Sequence, residues 1–173
     1  MLDLLRDNTN PVIGRFFGLY AATVKAVRAD GRLEVIVPAI YDETAPEAHA
    51  VARPCFPYAH FFVPEVDDQV WIAFENGDPA APVWLGIWYP DGAVPDQAQA
   101  DPPVKRVIQS PAGQLVVIDD TEGSEQVILA DKTGNRIELR TDGVLIKCVQ
   151  NLTIDASGKQ IEIKASKVDV KKA

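Results

Sequence analysis

Gln114-Leu115-Val116-Val117-Ile118, Gln126-Val127-Ile128-Leu129, Arg136-Ile137-Glu138-Leu139 and Val144-Leu145-Ile146-Lys147-Cys148 are four pieces of one stretch, Val107 to Val170. Leu152-Thr153-Ile154, Ile161-Glu162-Ile163 and Val168-Asp169-Val170 continue it. Each piece places an apolar residue at every second position, the period of a half-buried strand. Turn residues separate them: Thr121-Glu122-Gly123-Ser124, Lys132-Thr133-Gly134-Asn135, Thr141-Asp142-Gly143 and Ala156-Ser157-Gly158-Lys159. Strand starts recur about every eight to twelve residues, the spacing of an all-β array.

Such an array is thin. Each strand offers about two core-facing aliphatics, and no aromatic residue follows Tyr89. A lone ladder of this kind leaves its apolar face and its edges open. Winding several copies together closes both, and the stretch then reads as an oligomeric β-helix or β-prism. A monomeric β-solenoid, or the second sheet of a sandwich, is the alternative reading of the same pattern. In the wound form the residues meeting on the axis are Val117, Val127, Leu129, Ile137, Leu139, Ile146, Leu152, Ile154, Ile161, Ile163, Val168 and Val170.

Upstream, the pattern is again strands. Phe16 to Val27 reads as one long strand with a bend at Gly18. Arg28-Ala29-Asp30-Gly31-Arg32 carries the Asp-Gly hairpin signal. Leu33–Val37 follows, then Val51–Phe56 with Pro54 inside it, which points to an edge strand. Gln69–Phe74 and Pro82–Tyr89 close the set. Five strands with a closing hairpin suggest a Greek-key barrel of the OB type. Trp71, Phe74, Trp84 and Trp88 then read as its core, or alternatively as a base-stacking platform. The expected organisation is a 1–14 arm, an OB domain over 15–89, a Pro-rich linker over 90–103 and a β-helix over 104–173.

The 173 residues carry a net charge of −8, unevenly placed. Six basic residues face fifteen acids before Val104; from there on, eleven face ten. An acidic first half disfavours phosphate-backbone binding, so no nucleic-acid partner is expected. No run of eighteen apolar residues is present, and the start Met-Leu-Asp-Leu-Leu-Arg-Asp lacks the apolar core of a signal peptide. Leu2, Leu4 and Leu5 form an apolar arm suited to docking on a partner. Cys55 and Cys148 read as two buried small hydrophobes, and His49 and His60 as loop histidines without metal-ligand spacing.

Pro64-Glu65-Val66-Asp67-Asp68-Gln69-Val70-Trp71-Ile72-Ala73-Phe74-Glu75-Asn76-Gly77-Asp78-Pro79, with Ala80-Ala81-Pro82-Val83-Trp84-Leu85-Gly86 after it, resembles the OB domain of contractile-tail spikes. These are the baseplate assembly protein V spikes of phage tails and their relatives in type VI secretion. Arg106–Gly113, Ile118–Gly123 and Asp131–Asn135 resemble the start of their C-terminal β-helix. The resemblance implies an all-β chain: an OB-type five-stranded barrel followed by a trimeric intertwined β-helix, or β-prism. It implies a homotrimeric central spike in a virion tail baseplate or tail-like particle, assembled in the bacterial cytoplasm. Its partners would be itself, a baseplate hub protein and a PAAR-type tip protein, with no stable membrane association before contraction. Leu2, Leu4 and Leu5 are the hub candidates; Val170, Lys171 and Lys172 are the tip candidates. Some relatives insert a hydrolase domain, for which the short linker leaves no room. Others end in an iron-binding His-x-His apex, whereas this chain has no histidine after His60. No catalysis, cofactor or metal is therefore expected. The acids Glu65, Asp67, Asp68, Glu75 and Asp78 read as solvated turn residues.

Overall fold

The computed structural model describes residues 14–41 and 50–171. The chain divides between Val94 and Pro95 into two compact units.

The first unit is a closed barrel. Its strands are β1 (Tyr20–Val27), β2 (Leu33–Ile36), β3 (Ala50–Pro54), β4 (Gln69–Phe74) and β5 (Pro82–Ile87), in the order β1-β2-β3-β5-β4 with β4 returning to β1. All pairings are antiparallel except β3 with β5. Alternation along the strands sends Ala22, Val24, Leu33, Val35, Ala52, Val70, Ile72, Phe74 and Trp84 into one core. A buried polar contact ties the core across the fold. The indole Nε1 of buried Trp84 donates to the Gly31 carbonyl at 2.9 Å. Gly31 ends the β1–β2 turn at φ +81°, and a Cβ there would press on Phe56 and Phe61 at 3.1–3.2 Å. Trp84→Phe leaves that carbonyl without its donor where water is excluded. Its expected cost is about 1–3 kcal/mol of barrel stability, read as a lower urea midpoint; an unchanged midpoint would show that the bond contributes nothing.

Three expectations are corrected here. The first strand begins at Tyr20, because Gly18 at φ +110° turns the chain and the Phe16 N–H donates to the Gly77 carbonyl at 2.8 Å instead. β3 is not an edge: it pairs with both β2 and β5, and Pro54 is tolerated because it is the strand's last residue. The four aromatics also divide. Phe74 and Trp84 are core, but Trp71 is exposed and stacks on Trp88 outside the barrel, centroids 5.8 Å apart. Trp71 faces outward by plain alternation with buried Val70 and Ile72 on β4; for Trp88 the cause is a register shift on β5, where Gly86 pairs with Trp71 while Trp84 pairs with Ile72. One extra residue on β5 reverses the facing of everything beyond it, so period two fails for Trp88.

The second unit is an antiparallel meander of five strands in sequence order: β6 (Lys105–Gln109), β7 (Leu115–Asp119), β8 (Gln126–Ala130), β9 (Arg136–Arg140) and β10 (Gly143–Lys147). No strand forms in residues 148–171. The strands expected at Leu152–Ile154, Ile161–Ile163 and Val168–Val170 are thus absent from the single chain, which supplies them no ladder partner.

Candidate functional site

Register divides the second sheet into two unlike faces. Ile108, Val116, Leu129, Ile137 and Ile146 lie in one cross-strand row, and Arg106, Ile118, Val127, Leu139 and Val144 in the next row of the same face. Nine of these ten are aliphatic, and most stay open: Leu129 is 54% exposed, Leu139 50% and Ile146 56%. Ile108, Val116, Leu129, Ile137, Ile146 and Leu152 line an open groove of ≈ 470 Å³ on this face. A contiguous apolar surface of this kind marks an interaction site.

The opposite face is a charge lattice over a small apolar centre. Val117 is buried there between Val107 and Ile128, its partners in register. Glu138 is 3% exposed and ion-paired to Arg136 and Arg140, two residues to either side on β9. Asp119, also buried, pairs with Lys105 at 3.7 Å. The Thr121 hydroxyl, donating to Asp119 at 2.6 Å, holds that carboxyl below its usual range and outweighs the burial that raises it. Most charges on this face are ion-paired within one chain, although Arg136 Nε and Glu138 Oε2 are buried without a hydrogen bond.

Of the expected axis residues, Val127, Leu129, Ile137, Leu139 and Ile146 come together on the open face. Val117 does not, which corrects its expected place. The run Leu115–Ile118 has no alternation to fix its facing, and pairing with β6 and β8 puts Val116 and Ile118 on the open face instead. Ile108, Val116, Ile118 and Val144 are members that the sequence pattern missed. The signal for them was present only as position relative to the turns. Leu152 reaches the groove, while Ile154, Ile161, Ile163, Val168 and Val170 are exposed. Of the tip candidates, Val170 and Lys171 are exposed and Lys172 lies outside the described residues, as do the hub candidates Leu2, Leu4 and Leu5.

The β8–β9 turn is closed by one carboxylate. Asp131 accepts from the Thr133 hydroxyl (2.7 Å), the Asn135 side-chain amide (2.7 Å) and the Thr133 and Asn135 backbone N–H groups (2.8 and 3.0 Å). Asn135 Oδ1 in turn accepts the Val149 N–H at 2.9 Å, fixing the exit from β10. The Thr133 hydroxyl first, then the Asn135 amide, lower the Asp131 pKa to about 2. A folded pKa below the ordinary 3.8 gives stability that is present above that value and lost as pH falls towards about 2. Asp131→Asn is expected to flatten the acid limb of unfolding between these values, measured by circular dichroism; an unchanged limb would remove the turn from the acid response.

In the barrel, four of the five acids of the Pro64–Gly86 segment are held by neighbouring groups. Asp68 accepts the Glu65 N–H, Asp78 accepts the Ala80 N–H, Asp67 pairs with Lys25 and Glu75 with Arg53. The basic side chains described there are also engaged. Arg15 donates to the Asn76 carbonyl, Arg28 pairs with Glu34, Arg32 with Asp30, and Lys25 and Arg53 as above. Cys55 is exposed and Cys148 half-buried, so the expectation of two buried thiols is corrected: Cys55 lies just past the end of β3, outside the core. Among the described residues no three His, Cys, Asp or Glu side chains gather as a metal site.

A closed OB-type barrel followed by a meander with one ion-paired face and one open apolar face defines an all-β protein with an exposed interaction surface. Residues 20–89 match the type VI secretion system/phage-baseplate injector OB domain, and residues 105–173 match the phage baseplate V C-terminal trimerisation domain. The chain belongs to this family of baseplate and type VI spike proteins, a structural component of a phage tail or tail-like particle. No curated protein matches it.

Proposed function

We propose that the protein is the homotrimeric central spike of a contractile injection machine, pierced through the target envelope when the sheath contracts. The open apolar face of β6–β10 carries this reading. Three such faces, turned inward, fill an axis with Ile108, Val116, Leu129, Ile137 and Ile146 and leave the Glu138 lattice outside. A needle needs stiffness under axial load, and an apolar axis flanked by continuous ladders supplies it. The role is mechanical, without catalysis, cofactor or metal. The barrel seats on the baseplate hub, helped by the arm bearing Leu2, Leu4 and Leu5. A PAAR-type tip protein caps the end at Val170, Lys171 and Lys172. Assembly takes place in the bacterial cytoplasm, with export inside the particle. Light scattering tests the reading: the expected mass is three times the 18.9 kDa chain, and a monomer overturns it.

The outward Trp71–Trp88 pair, Trp71 exposed and Trp88 half-buried, is the kind of surface an OB-type nucleic-acid or glycan-binding module would use. The engaged cations of the barrel speak against the nucleic-acid form, since phosphate binding needs free basic groups. Quenching of tryptophan fluorescence by single-stranded DNA at physiological salt would revive it.

A further inference from the structure

The connection from β3 to β4 is an aromatic loop at one end of the barrel. It leaves β3 at Pro54 and returns at Gln69. The β1–β2 turn stands at the same end, since β3 runs antiparallel to β2 and ends beside its start. The chain enters the barrel at the opposite end, where the Phe16 N–H meets the Gly77 carbonyl beyond β4.

Two features give the loop a fixed shape. Phe61 packs on Phe56 with ring centroids 5.5 Å apart, and Phe56 stands edge-on to buried Trp84 at 5.0 Å. The His60 N–H donates to the Pro57 carbonyl at 3.1 Å and closes a four-residue turn, with Ala59 in the left-handed region at φ +60°. That conformation is strained for a residue with a Cβ and persists where surrounding contacts impose it. The turn holds Tyr58 out of the barrel, 98% exposed. Phe62, 61% exposed, lies against His60 with ring centroids 6.0 Å apart.

Charge at this end is one-sided. Lys25, Arg28 and Arg32 are paired with Asp67, Glu34 and Asp30. Glu65 and Asp68, on the return to β4, have no such cation among the described residues; Asp68 accepts the Glu65 N–H, which leaves both charges uncancelled. We propose that this loop is a docking surface for a protein partner presenting arginine or lysine side chains, which stack on Tyr58 and Phe62 while their charge meets Glu65 and Asp68. Charge selects the occupant. A cation gains from the ring faces and from the carboxylates alike. A second copy of the loop would bring the same carboxylates together, and a phospholipid surface would set phosphate against them. The inference stands on the barrel alone and needs no trimer.

A nona-arginine peptide titrated into the full-length protein by calorimetry tests it. Binding is expected, weakening as salt is raised. Tyr58→Ser with Phe62→Ser, both on exposed side chains, is expected to lower the affinity about tenfold. Glu65→Gln is expected to lower it a few-fold, and Phe17→Ser, at the opposite end of the barrel, to bind as wild type. Absence of binding, or equal affinity in wild type and the double variant, overturns the inference. So does sedimentation with phosphatidylcholine–phosphatidylglycerol vesicles that the double variant abolishes, which would make the occupant a lipid surface. A rise in mass with protein concentration, lost in the double variant, would make it a second copy and overturns the inference as well.

Discussion

A chain carrying Ile137→Asp is expected to scatter as a monomer and to lose its SDS-resistant band. Ile137 stands in the middle of β9, paired with Leu129 on β8 and Ile146 on β10, at the centre of the open apolar face. Its side chain takes no part in the ladder, and 40% of it is exposed in the single chain. The substitution therefore costs little within one chain. In the trimer it brings three carboxylates together in an apolar axis without a cation. Desolvation and mutual repulsion each cost several kcal/mol there, and every copy contributes. Val107→Asp is the control. Val107 lies on the opposite face, half-buried and paired with Val117, so a carboxylate there costs stability within one chain but adds no charge to the axis. It is expected to keep the wild-type mass. If Ile137→Asp stays trimeric while Val107→Asp dissociates, the charge-bearing face is the inner one and the proposed arrangement is inverted.

Strand alternation made most of the architecture legible before any coordinates. β8 and β9 alternate cleanly, and Val127, Leu129, Ile137 and Leu139 share one face of the sheet, as alternation requires. The Asp30-Gly31 hairpin and the aromatic-rich closing pair of the barrel are likewise local signals. Information failed where facing depends on a neighbour. Leu115–Ile118 and Val144–Ile146 are unbroken apolar runs, and only their partners' register decides which residues face the groove. Trp88 was lost to a bulge that period two cannot show. Glu138 and Asp119 are charged residues buried by flanking Arg and Lys side chains, an outcome that composition does not suggest.

Leu33→Ala is expected to unfold the barrel selectively. Leu33 is fully buried at the start of β2, between Val27 on β1 and Ala52 on β3, so its side chain fills the point where three strands converge. Neighbours held in ladders on both sides cannot collapse into the space, which places the loss in the range of about 2–5 kcal/mol. A barrel of this size holds on the order of 4–11 kcal/mol in total, so one substitution removes a large share of it. Each kcal/mol shifts the midpoint of such a domain by about 4–8 °C, giving an expected fall of roughly 10 °C or more in the barrel transition by calorimetry. In the proposed trimer, assembly rests on the apolar face of β6–β10, where Leu33 has no part, so its transition is expected to stay in place. Leu85→Ala, on the barrel's outer surface and 43% exposed, should move neither transition by more than a few degrees. Should Leu33→Ala shift both transitions together, the barrel and the spike melt as one cooperative body, and force on the needle is then resisted by the whole chain rather than by its C-terminal unit.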